Sequence, residues 1–197
     1  MRTLILVRHS ESKIDPLLPP RDWSLTREGR QRCLLLASKI EIFDPKLIVT
    51  SEEKKALETG KILAEVLNIN CTTVLGLHEH VRKGGEILDQ GIWSEMISQL
   101  FKKPSQLVFG LESGNQVKER FSEAICSVMG KNPEQNIAVI THGTVMSLYY
   151  QDLTGLDPYV FWCQLGLPAF YTVSWPECKV LSVEMAISNT IEAPNYH

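Results

Sequence analysis

Two histidines stand at the ends of apolar runs, and their surroundings suit anion chemistry. His9 closes the run Leu4 to Val7 in "LILVRHSES", and His142 closes "IAVITHGT". Arg8 adjoins His9, and Ser10 and Ser12 follow it. A fixed cation, hydroxyl donors and backbone N–H groups together make an anion cradle. A phosphoryl group held there would lie beside His9. A neutral imidazole nitrogen can attack phosphorus in line and divide one difficult displacement into two easier ones. Nearby cations favour the neutral ring. The attacking nitrogen is free only if an acceptor, such as a backbone carbonyl, holds the other one.

For this chemistry the two histidines must share a site, and the elements that carry them decide that. Residues 3–7 and 136–142 read as buried strands, with a further strand at 47–51 and a short one at 71–76. Helices are expected over 24–40, 52–67, 92–103, 113–129 and 144–155. In the first, Ser24 or Thr26 caps a face of Cys33, Leu34, Leu36, Ala37 and Ile40. In the second, Ala56, Thr59, Ile62, Leu63, Val66 and Leu67 point inward, and an acidic first turn suits the positive helix end. Residues 169–186 read as a β-hairpin around Trp175-Pro176-Glu177-Cys178.

This order implies an α/β fold: a three-layer α/β/α sandwich, with a mostly parallel sheet, helices on both faces and a C-terminal antiparallel hairpin. Such sheets bind ligands beyond the carboxyl ends of their strands. His9 and His142 both fall there, and they meet if their strands are neighbours. The chain shows no internal repeat or linker, so residues 1–197 are expected to form one domain.

Composition narrows the classes. Hydrophobic residues make up 44% and charged ones 22% of the 197 residues, enough to pack a core. The formal charge of −3, without a run of one sign, points away from nucleic acid and membrane surfaces. Five scattered cysteines without a C-x-x-C pair read as reduced thiols, and no signal-like segment stands at the start, so a cytoplasmic location is expected.

Six ordered blocks over residues 3–145 resemble those of the histidine phosphatase superfamily, which includes cofactor-dependent phosphoglycerate mutases and broad acid-type phosphatases. "LVRHSES" resembles its R-H-G-E-(T/S) block, and "LTREGRQR" its L-T-x-x-G block. "SEEKKALETG" is similar to S-x-x-x-R-A-x-x-T-A, and "GLHEHVR" to the block carrying the acidic residue. "LESGNQVKERF" and "VITHGTV" are similar to the last two. The resemblance implies His9 as nucleophile, Arg8 and His142 as phosphoryl ligands, and Glu79 as proton donor and then as the base that activates water. It implies no metal or organic cofactor. Lys55, Gly143 and Thr144 fall at the phosphate, and Arg82 with Lys83 toward the substrate's far end.

Three positions depart from the family pattern. Lys55 stands where an arginine is usual, so a bidentate fork becomes a point charge, at a cost of about 1–3 kcal/mol. Ser10 replaces a glycine and is strained if φ there is positive. Asp15 stands where an asparagine is frequent, and its carboxylate repels phosphate unless it turns away or pairs with Arg21. Other residues have plainer roles. His78-Glu79-His80 has metal-like spacing but no third ligand nearby in sequence. Thr144 and Ser113 suit helix caps, Glu112 a pocket wall, and Trp23 a pin for its loop.

The expected function is hydrolysis of phosphomonoesters through a phosphohistidine. Mutase chemistry is the nearest alternative, and a phospholigand-binding regulatory module is the other. The partner is a phosphorylated small molecule or a phosphoprotein. Loops 13–24 and 76–92 set the substrate, which the sequence leaves open along with the oligomeric state.

Overall fold

The computed structural model describes residues 2–82 and 89–188. A six-stranded sheet runs in the order β3-β2-β4-β1-β5-β6. Its strands are β1 (Arg2–Arg8), β2 (Leu47–Thr50), β3 (Asn70–Thr73), β4 (Ile137–Thr141), β5 (Ala169–Trp175) and β6 (Lys179–Glu184). The first four pair in parallel, and β5 and β6 add an antiparallel edge. The helices are α1 (Arg27–Glu41), α2 (Lys54–Leu67), α3 (Gln90–Lys102), α4 (Gly114–Lys131), α5 (Gly143–Thr154) and α6 (Pro158–Gln164).

The period-2 alternation of the central strands builds the two outer layers. Leu4 and Leu6 of β1 join Ile137 and Val139 of β4 in a core closed by α3, α4, α5 and α6. Ile5 and Val7 join Ala138 and Ile140 on the other face, closed by α1 and α2. Leu4 to Val7 are wholly buried, because both faces of a central parallel strand are covered.

The expected fold class is thus seen, with corrections in detail. The helix α6 was not foreseen; it has seven residues, opened by Asp157 as cap and Pro158 at its first position. The third strand ends at Thr73, short of the expected 76. Leu34 and Val66, expected inward, are 53% and 49% exposed, because the sheet covers a narrower stripe of α1 and α2 than their apolar patterns span. Thr26, not Ser24, caps α1 by accepting from the Gly29 amide. Ser113 caps α4 within a full capping box. No described helix is long and apolar enough to cross a membrane.

Candidate active site

Because β1 and β4 are neighbours in parallel register, Arg8 pairs with Thr141 and both histidines emerge at the same end of the sheet. The His9 amide donates to the Thr141 carbonyl at 2.9 Å. The two imidazole centroids lie 5.1 Å apart, tilted by 60°. This end-of-sheet placement brings together residues 133 positions apart with no help from loops.

His9 is oriented by its own backbone. Its Nδ1 lies 2.7 Å from the Ser10 carbonyl. A carbonyl can only accept, so Nδ1 carries the proton and Nε2 keeps its lone pair. Burial pushes the His9 pKa well below its usual value, and His142, Lys55 and Arg8 push it further. His142 is wholly buried and held neutral by burial first, then by Lys55, His78, Arg8 and Arg120. Its Nε2 sits 2.9 Å from the Ser51 hydroxyl.

The Arg8 guanidinium donates to the Leu165 carbonyl through Nη1. It lies flat against Gly143: a Cβ there would come within 3.0 Å of Arg8 Nε. Glycine at 143 is therefore what lets the guanidinium approach α5. Arg8 Nε, His142 Nδ1 and Thr144 Oγ1 are buried and have no protein partner among the described residues. Buried polar groups are normally hydrogen-bonded. All three belong to residues at the carboxyl ends of β1 and β4 or in the first turn of α5.

Whereas its neighbour Lys54 is exposed, Lys55 is buried, with 6% of its surface exposed. Its Nζ donates to the Glu53 carboxylate at 2.6 Å and to the Pro20 carbonyl at 2.8 Å. Glu53 was expected to serve the α2 dipole from the helix's first turn. It occupies the N-cap position, yet its side chain makes no cap bond. It turns into the site instead. There Oε1 accepts from the Glu79 amide at 2.8 Å and lies 3.7 Å from His142 Nε2. Burial raises the Glu53 pKa, but the Lys55 ammonium and the Glu79 amide outweigh burial and hold the carboxyl below its usual range.

Glu79 is fixed by two backbone amides. Oε1 accepts from His80 at 2.8 Å and Oε2 from Thr144 at 3.1 Å. Its loop is clamped by Arg120, which donates to the carbonyls of Gly76, His78 and Glu79 and forks onto Glu112. Glu112 also accepts from the Val81 amide. Thr141 Oγ1 reaches the Leu77 carbonyl at 2.6 Å and ties the same loop to β4. Glu112 thus braces the loop, and Arg120 is the residue whose role the sequence reading missed.

Several expected site residues have other work. The Ser10 hydroxyl donates to the Gly29 carbonyl at 2.7 Å, and its amide to Thr59 at 3.0 Å. Ser10 is not among the residues with positive φ, so serine is unstrained there. Ser12 forms an isolated bridge with Leu25. Asp15 accepts from the Leu17 amide, and Trp23 donates to the Asp15 and Leu18 carbonyls; both stabilise their own loop. Thr144 is no cap, since His142 occupies the α5 N-cap. His80 faces the Glu112 carbonyl and Phe109, while His78 faces Glu52.

Glu53 and Glu79 also line a cavity of about 240 Å³ whose other walls include Pro20, Arg21, Glu52, His78 and Arg82. The Arg82 guanidinium lies over the Trp93 ring, 4.4 Å from its centroid. Lys83 and the glycine pair at 84–85 fall outside the described residues.

A family model, "Histidine phosphatase superfamily (branch 1)", matches residues 4–186. A search of curated proteins finds no sequence match. Among solved structures, a mutant phosphoserine phosphatase from Entamoeba histolytica in complex with phosphoserine aligns with TM-score 0.76 at 18% identity, over 93% of this chain and 97% of that one. YhfR from Bacillus stearothermophilus aligns with TM-score 0.74 at 23% identity, over 95% and 98%. A mycobacterial glucosyl-3-phosphoglycerate phosphatase aligns with TM-score 0.73 at 16% identity, over 95% and 99%. At these identities the likeness is one of fold.

Proposed function

The chain belongs to the histidine phosphatase superfamily, and from that premise we propose that it hydrolyses phosphomonoesters through a phosphohistidine on His9. The observation that carries this reading is the His9 ring itself. It is neutral, its Nδ1–H is committed to the Ser10 carbonyl, and its Nε2 is left as a nucleophile beside Arg8 and His142.

In the first step Nε2 attacks phosphorus as the bond to the ester oxygen breaks. Glu79 delivers a proton to the departing oxygen, and the alcohol leaves. In the second step Glu79 takes a proton from water, whose oxygen attacks the phosphohistidine. The N–P bond breaks, inorganic phosphate leaves, and His9 and Glu79 return to their starting states. Arg8, His142 and the N-terminal amides of α5 stabilise the charge on the transferring group. A metal has no part in these steps.

The test is a panel of phosphomonoesters from pH 5 to 8, with and without chelator, beside His9→Ala. We expect chelator-resistant phosphate release that falls by at least about 10³-fold in the variant. Release that survives His9→Ala would sink the reading. A second reading, a phospholigand-binding module without turnover, is favoured by one feature, the Glu53 carboxylate that takes Lys55. It requires phosphate binding with no His9-dependent release, and no gain from Lys55→Arg.

A further inference from the structure

The strongest unexplained feature of the site is a buried carboxylate where an anion should bind. Glu53 is 8% exposed, sits 2.6 Å from Lys55 Nζ and lies 3.7 Å from His142 Nε2. It accepts a second hydrogen bond from the Glu79 amide. A cation and a backbone N–H are donor types that anion sites use. Here a side chain of the protein holds both. The carboxylate is also fixed in its charged form, since Lys55 and the Glu79 amide keep its pKa low against the pull of burial.

We propose that Glu53 is a specificity-determining residue, a resident anion that makes the phosphoryl pocket a poor site for free phosphate and for small esters, and a good one only for esters that gain contacts in the adjoining cavity. The inference rests on the hydrolase reading for its meaning, though not for its test. A phosphoryl dianion that approaches His9 must either face the Glu53 charge or displace it from Lys55. Both cost binding, and both cost it equally for ester and for free phosphate. An ester recovers that cost through its remaining groups, which lie in the cavity walled by Pro20, Arg21, Glu52, His78 and Arg82. Inorganic phosphate has no such groups. Product is then expelled as Glu53 pairs again with Lys55, and inhibition by phosphate is weak.

The test is calorimetric titration of inorganic phosphate into the wild-type protein, Glu53→Gln and Glu53→Ala. Removing one partner of a buried pair leaves the other charge unpaired and ready for an anion. We therefore expect phosphate to bind at least about tenfold more tightly to either folded variant. In turnover of p-nitrophenyl phosphate, KM should fall and product inhibition by phosphate should strengthen, while kcat falls as release slows. A merely structural role for Glu53 would lower thermal stability without tightening phosphate. Equal or weaker phosphate binding by the folded variants, or no binding by any of the three proteins, overturns the proposal. Tighter binding without His9-dependent turnover would leave this inference standing and refute the hydrolase. Turnover with unchanged phosphate affinity would do the reverse.

Discussion

The two sides of the pocket are held in different ways. On one side Arg8, His9 and His142 hang from the ends of adjacent parallel strands, and strand register alone fixes their spacing. On the other side Glu53, Lys55 and Glu79 come from a helix start and a loop. Their places depend on two side-chain hydrogen bonds each and, for the Glu79 loop, on the Arg120 clamp. The strand side is continuous with the core, where closely packed neighbours resist displacement. The loop side can change by one substitution at a time. In this chain a buried lysine stands there at 55, and a buried glutamate accompanies it. In the proposed mechanism the nucleophile sits on the fixed side, and the acid–base group and the resident carboxylate on the adjustable one.

That contrast can be sharpened first at Glu79. Its replacement by Gln should lower kcat by about 10²–10⁴-fold, the range of general acid–base catalysis, with little change in KM. The loss should be larger for an alkyl ester than for an aryl ester, whose leaving oxygen needs less protonation. Equal losses for both would mean that Glu79 only shapes the pocket.

The clamp comes next. Arg120→Ala removes a guanidinium whose side chain is 18% exposed and leaves Glu112 unpaired. We expect about 3 kcal/mol of lost stability, measured by denaturant unfolding. Turnover should fall as the Glu79 loop loses its anchor. Lysine at 120 should not restore either property, since the clamp uses the planar fork. Full turnover in Arg120→Ala would show that the loop side needs no such brace.

The last test concerns pH and the strand side. His9 and His142 have folded pKa values well below the usual 6.5. Below pH 6.5 the unfolded chain takes up protons that the native rings refuse, so stability falls as pH falls. Each such histidine contributes a slope of up to about 1.4 kcal/mol per pH unit. Glu53 and Glu112, with lowered pKa values, keep their contribution above the usual carboxyl value of 4.5 and lose it only below. The window from pH 6.5 down to 4.5 therefore reports the histidines. Melting temperature should drop from pH 7 to pH 5, and less so in His9→Ala. A flat profile would mean that these rings accept protons in the folded state.

How far the sequence led follows the same division. The strand ends with their histidines could be read directly, because a short apolar run followed by polar residues is a local pattern. That the runs at Leu4 and Ile137 are neighbours could not be read, since pairing order is not a local property. Glu53 was misread because an acid at a helix start ordinarily serves the dipole. Nothing local says that the side chain turns the other way, toward Lys55. Arg120 was invisible in its role because its partners are backbone carbonyls of residues 41 to 44 positions away. Ser10 looked like a pocket hydroxyl, and only the packing of α1 against β1 shows that its partner is the Gly29 carbonyl.

The position of β1 has a consequence for how the molecule comes together. This strand comes first in chain order among the six, yet it lies between the fourth and the fifth, β4 and β5. Its arginine takes the carbonyl of Leu165, 157 residues further on. Loop closure over such a span must precede any reward from contact, so the sheet centre closes late and slowly. Until then the apolar edge of β1 is exposed and needs protection from aggregation. The cluster of Arg8, His9 and His142 is therefore absent from partly made or partly folded chains, and it arrives in one step with the central sheet.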